Sequence, residues 1–448
     1  LAAAQLPFGQ GHQAVIEWAP HSSGCGETTS ENAMRKLSVD RLKPGMVLAR
    51  SVETERGDAL LAQGVVLTEQ FICGLKGHGF HAVYVQNGIA DDVQPPQILS
   101  PMVRELTFRH LKDLFDMIEG ATSDVQTDAQ RNKMVEQLAA SLRPQFVELY
   151  HDVEKIVDEV VDKETITGIV SLKSYDNYTF EHSVEVTVIG ILLGKRMRLN
   201  IAELHQLALG CLCHDIGKLV VPKTVLGKRG KLTDDEFAVI QRHPQAGFDT
   251  VQHLMGPSDI IARHVVRQHH ERQDGKGYPR GLRGTNRFVA GKPSFGQGLI
   301  LPAAEIAAVA DVYSAISSDR PYRLAMSPQQ IMSTMQQMAG SHLNRDVVAR
   351  FLSGLPFYPI GTHVLVISGR LRGFRGVITR VKPAQINAPT LRVIFDARGQ
   401  MVAPFEVDTS KEMGLSLAAV PSSVSPIELD FDQTSPNMVS VHFEPGQR

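Results

Sequence analysis

Residues 211–222 read CLCHDIGKLVVP, an apolar run that carries His214 beside Asp215 and a lysine at 218. A run of this kind belongs inside a protein, where a carboxylate without a partner is costly. Any fold that takes it up must therefore supply Asp215 with something to hold. The same problem returns at Asp311, which closes the apolar run AEIAAVAD. Between and before these lie His182 in DNYTFEHSVEV, His243 in IQRHPQAGF, and the doublet His269 and His270 in RQHHERQDGKGYP.

One histidine on a helix is ordinarily a satisfied core or surface residue. Five imidazoles and two carboxylates in one helical stretch instead call for a shared positive charge, and a pair of divalent cations supplies it. Imidazole and carboxylate suit zinc, iron, manganese, nickel or cobalt, and the lack of paired thiolates speaks against a structural zinc site. Neighbouring residues on a helix point about 100° apart, so His214 and Asp215 can serve one site from different directions. Asp215, with two oxygens, is assigned as a bridge. His182, His214 and Asp311 complete one metal; His243, His269 and His270 complete the other. Two such ions about 3.5–4 Å apart activate a shared water for attack on phosphorus. Lys218, four residues past His214, falls on the same helical face and can reach a phosphate oxygen.

In order along the chain, YTFEHS, HDIGK, HPQAG, HHERQDGKGYPRGL and ADVYSAISSDRPYR resemble the successive motifs of the HD-GYP phosphodiesterases, over roughly residues 166–358. Gly277-Tyr278-Pro279 is present in full. An HD pair alone would be weak, because many phosphohydrolases share it; the ordered set is specific. The resemblance implies an all-α HD-type fold that hydrolyses cyclic di-GMP to linear pGpG and on to GMP, with attack by a hydroxide that bridges the metals. It implies the same seven metal ligands, with iron or manganese as the ions, a phosphate-contacting role for Lys218, and substrate phosphate held by Arg320 and Arg323 in SSDRPYR. Tyr278 either contacts the substrate or locks the Gly-Pro turn. Some members carry a glutamate four residues before the first histidine and bind a third metal; here that position is Tyr178, so two metals are expected. TNRFVAGKPSFGQGLI, residues 285–300, is longer than the link typical of the family and reads as a surface loop near the pocket mouth.

The rest of the 448 residues divides by pattern, and a chain of this length carries more than one domain. Residues 1–33 read as a flexible extension and 34–90 as a small α+β module with short alternating strands around one helix. Residues 91–165 read as amphipathic linker helices, candidates for pairing with a second copy of the chain or for ordinary bundle packing. The helical catalytic domain fills 166–358. Period-two segments separated by glycine turns make 359–412 a small β-barrel, and Ser, Pro and acidic residues make 413–448 a flexible tail.

A formal charge of −2 gives no overall field toward nucleic acid or membrane. The arginines of the barrel segment lack an aromatic stacking platform, so nucleic acid is not an expected partner. No apolar run is long and uninterrupted enough to span a bilayer, and four cysteines without framework spacing fit reduced thiols and a cytoplasmic setting. The expected partners are cyclic di-GMP and signalling proteins. The alternatives left by the sequence are hydrolysis of another cyclic dinucleotide or nucleotide, or a non-catalytic sensor that binds one.

Overall fold

The computed structural model describes residues 32–442 apart from 50, 54–58, 78–79, 81, 92, 94–97, 123–126, 164–177, 229, 231, 290–297, 318–325, 327 and 421–440. The chain opens with β1 (Asn32–Ser38), β2 (Val52–Glu53), β3 (Ala59–Leu61), α1 (Glu69–Gly77) and β4 (Ala82–Asp91). β1 pairs antiparallel with β4, and β2 with β3. Leu48, Leu67, Leu75 and Val85 form the centre of their core.

Two long helices follow, α2 (Pro101–Thr122) and α3 (Asp128–Val161). The side chain of Thr127 caps α3 by accepting a hydrogen bond from Gln130 N. Then come α4 (Tyr178–Arg196), α5 (Ile201–Cys213), α6 (Lys223–Leu226), α7 (Asp234–Ile240), α8 (His243–Val251), α9 (Ile260–Gln268), α10 (Pro302–Ser317), α11 (Pro328–Met338) and α12 (Arg345–Leu352). One apolar cluster runs from Val103 in α2 to Leu355 beyond α12. The segment 91–165 is therefore not a free linker: both of its helices pack into the core of the helical unit. The segment around His182 reads as amphipathic, yet α4 is buried on nearly every side, because α2, α3, α5, α10 and α12 all touch it.

α5 begins at a capping box, in which the Asn200 side chain accepts from Glu203 N and the Glu203 carboxylate accepts from Asn200 N. It ends at Cys213, and the chain tightens into a 3-10 turn over Ile216–Val220. The HD pair lies at that junction rather than within a helix. Gly217 explains how the turn can lie against the start of α8: a Cβ there would come within 1.9 Å of His243 O and 2.5 Å of Gly247 N.

The last unit is a six-stranded antiparallel sheet in the order β10-β9-β5-β6-β7-β8. Its strands are β5 (His363–Ser368), β6 (Arg375–Lys382), β7 (Gln385–Phe395), β8 (Met401–Asp408), β9 (Ser416–Ala419) and β10 (Val441–His442). Where the strand pattern predicts a barrel, the described residues form this antiparallel sheet, with no pairing among them between its two outer strands. Strand pairing also continues past residue 412, because β9 pairs with β5. No helix among the described residues is long and apolar enough to cross a membrane. Cys73, Cys211 and Cys213 are free thiols, and burial raises the last of these to about 12.

Candidate metal centre

Five elements converge on one point. α4 brings His182, the junction after α5 brings His214 and Asp215, the first residue of α8 is His243, and His269 and His270 follow the end of α9. Asp311 arrives from α10. The ligand atoms of His182, His214 and Asp215 lie within 4.8 Å of one another, and so do those of His243, His269 and His270. Asp215 joins the two groups. Its Oδ2 stands 3.4 Å from His214 Nε2 and 3.9 Å from His182 Nε2, while its Oδ1 stands 3.5 Å from His243 Nε2. Asp311 places Oδ1 3.0 Å from His182 Nε2 and Oδ2 4.0 Å from His270 Nδ1.

The hydrogen bonds of the histidines decide which nitrogen is available. Nδ1 of His214 meets the carbonyl of Cys211 at 2.7 Å, Nδ1 of His243 that of Ile240 at 2.7 Å, and Nδ1 of His269 that of Val266 at 2.8 Å. A carbonyl only accepts, so each Nδ1 carries the proton and each Nε2 presents a lone pair. His243 Nε2 and His269 Nε2 then face one another at 3.2 Å as two acceptors. His214 Nε2 and Asp215 Oδ1 are buried without a hydrogen-bond partner. Lone pairs aimed at one another in a dry interior fit a bound cation, and the donor set of imidazole and carboxylate fits a divalent transition metal.

Electrostatics sets the same protonation state. Burial holds the His243 imidazole down to about 3 and that of His270 to about 4, and holds His269 well below its usual value. Burial alone would raise the two carboxyls. The surrounding imidazoles, His214 foremost, together with the Lys218 ammonium outweigh this and keep Asp215 well below the usual range. His182, with Nε2 3.0 Å from Asp311 Oδ1, does the same for Asp311. Neutral His243, His269 and His270 beside ionised Asp215 and Asp311 are the forms in which such side chains bind a metal.

Lys218 reaches the site by a different route from the one its spacing suggests. It lies over Asp215 rather than on a helical face with His214, because residues three apart eclipse in a 3-10 turn. Its Nζ is 2.6 Å from Asp215 Oδ2. Tyr278 packs its ring against His270 with centroids 4.8 Å apart, and stands 6.4 Å from His243. Its loop is pinned by Glu271, whose carboxylate accepts from Arg280 N and Leu282 N at 2.8 Å each. Tyr278 and Pro279 also line a cleft of about 300 Å³ with Arg242, Gln245 and Asp249 of the α8 segment. Arg320, Arg323 and residues 290–297 of the extended loop lie outside the described residues. The sequence does not single out Ser314 and Glu185, which stand behind His182, or Glu271; a serine and a glutamate on helices and a glutamate in a loop carry no signal of their own.

Residues 169–347 match the HD domain family. The matched part of this helical unit is an HD domain. The HD domain and its surroundings are 36% identical over 242 residues to a cyclic di-GMP phosphodiesterase of Pseudomonas aeruginosa, covering 54% of this chain and 54% of that protein. They are 38% identical over 171 residues to a 3'3'-cGAMP-specific phosphodiesterase of Vibrio cholerae, covering 38% of this chain and 36% of that one. The chain thus spans about half or less of these two relatives. Among solved structures, an HDG"Y"P protein from Bdellovibrio bacteriovorus matches over 72% of this chain and 99% of its own at 14% identity, with a TM-score of 0.40. That likeness is too distant to inform the site.

Proposed function

We propose that the HD domain hydrolyses a phosphodiester of a cyclic dinucleotide, cyclic di-GMP in the first instance, to the linear dinucleotide pGpG and then to GMP. The observation that carries this reading is Asp215, whose two oxygens address two separate histidine groups. Such a bridge suits two divalent cations, iron or manganese, side by side. When bound, these ions would neutralise phosphate charge and make water a nucleophile near neutral pH. His182, His214 and Asp311 would hold one and His243, His269 and His270 the other, with Asp215 between them. Lys218 sets a fixed positive charge at the edge of the same carboxylate, where it can receive a phosphate oxygen and stabilise charge that develops there. Tyr278 packs its ring against that of His270 at the same site. Arg320 and Arg323 are proposed to hold the second phosphate of the substrate.

A second reading has an observation of its own, the identity to a relative named as specific for 3'3'-cGAMP. One assay separates them. Purified, manganese- or iron-loaded protein is incubated with each dinucleotide, and the products are resolved by chromatography beside those of Asp215→Asn. Linear product from cyclic di-GMP in the native protein alone supports the first reading, and preferential cleavage of 3'3'-cGAMP supports the second. Binding of either without cleavage would leave a sensor and overturn both.

A further inference from the structure

Three of the buried histidines rest Nδ1 on a main-chain carbonyl; His182 does not. Its Nδ1 lies 2.8 Å from Ser314 Oγ, and the Ser314 hydroxyl in turn donates a short hydrogen bond to Glu185 Oε2. With its hydrogen committed to Glu185, Ser314 offers His182 a lone pair, so Nδ1–H is the donor and Nε2 is left for the site. The arrangement is a double rung between two helices. α4 supplies His182 and Glu185, three residues apart, and α10 supplies Asp311 and Ser314, also three apart. Residues at that spacing share one face of a helix. Asp311 therefore meets His182 at Nε2, at 3.0 Å, while Ser314 meets the same ring at Nδ1. Ser314 is fully buried and His182 is 2% exposed, so the bond between them is shielded from water, while Glu185 is half-buried.

We propose that Ser314 and Glu185 are positioning residues that set the metal affinity of the His182, His214 and Asp311 half of the centre, and of that half alone. A carboxylate linked to Nδ1–H fixes the tautomer and makes Nε2 a stronger donor than a carbonyl does. Loss of such a partner typically costs 10–100-fold in metal affinity. His243 and His269, held by main-chain carbonyls, have no such side-chain dependence. The inference rests on the two-metal reading above and adds an inequality between the two halves.

The test is a manganese titration of the metal-free chain, with bound metal counted directly and the spin-coupled pair followed by electron paramagnetic resonance. The native protein should take up two ions and show the coupled signal. Ser314→Ala should bind one ion as before and the other 10–100-fold more weakly, with the coupled signal appearing only at high manganese. Glu185→Gln should shift the same site in the same direction. Ser314→Asp puts a carboxylate directly on Nδ1, so it should retain tight binding and make the further change Glu185→Gln silent. Ser314→Thr, which keeps the hydroxyl, guards against misfolding and should behave as native. Two native-like sites in both Ser314→Ala and Glu185→Gln would overturn the proposal, as would equal weakening of both sites. A native protein that binds no second ion would instead sink the two-metal reading on which it rests.

Discussion

At the scale of single residues, burial did most to make the site legible. Asp215 and Asp311 stand out in the sequence because an apolar run has no use for a carboxylate, and the structure brings both to one point with five histidines. Ser314 and Glu185 were not legible, since their role depends on a crossing of α4 over α10 that no local pattern encodes. Glu305, which lies in the same apolar run as Asp311, shows that the argument is not specific to metals. It is 5% exposed and satisfied instead by amides, with Gln273 Nε2 at 2.7 Å and Asn344 Nδ2 at 2.9 Å. Burial raises its carboxyl to about 7 in spite of those two bonds. The folded chain therefore binds more protons than the unfolded chain, whose glutamate titrates near ~4.3. This contribution to stability is complete below that value and is lost as pH rises through about 7. Glu305→Gln cannot ionise, so its stability relative to the native chain should rise between those two pH values and level off above. Urea unfolding of both proteins across that range checks this; parallel curves would contradict it.

At the scale of elements, the junction after α5 was misjudged by pattern alone. CLCHDIGKLVV reads as continuous helix, but the chain tightens at His214, and that change of pitch puts Lys218 over Asp215. The linker helices were legible as helices, while their partner was not, because an apolar stripe does not say what it packs on. The structure gives one answer in Phe180, two residues before His182. Its ring meets Phe108 and Phe115 of α2 edge-on, with centroids 5.5 and 5.1 Å apart. Arg104 of α2 also pairs with Glu181 at 3.4 Å. α2 thus braces the start of the helix that delivers the first histidine. Phe180→Ala should cost about 3 kcal/mol, through lost burial and two lost ring contacts. A urea-denaturation loss below about 1 kcal/mol would mean that α2 does not brace α4.

At the scale of the whole molecule, three apolar cores follow one another along the chain among the described residues, and the middle one encloses the candidate metal centre. A small cluster of Val93 with Val377, Ile394 and Phe395 ties the segment after β4 to the C-terminal sheet. The segment after β4 therefore meets the C-terminal sheet, a contact that periodicity could not reveal because it joins residues almost 300 positions apart. The short strand β9 was missed for a related reason: SLAA gains its strand character by pairing with β5 and β10. The central claim concerns the middle unit and is that its buried lone pairs exist to hold two ions bridged by Asp215. Metal analysis of the native protein and of Asp215→Asn, each loaded with manganese and freed of excess, tests it most directly. The account predicts two ions per chain in the native protein and at most one in the variant, with the fold retained by circular dichroism. Two tightly held ions in Asp215→Asn, or none in the native protein, would contradict it.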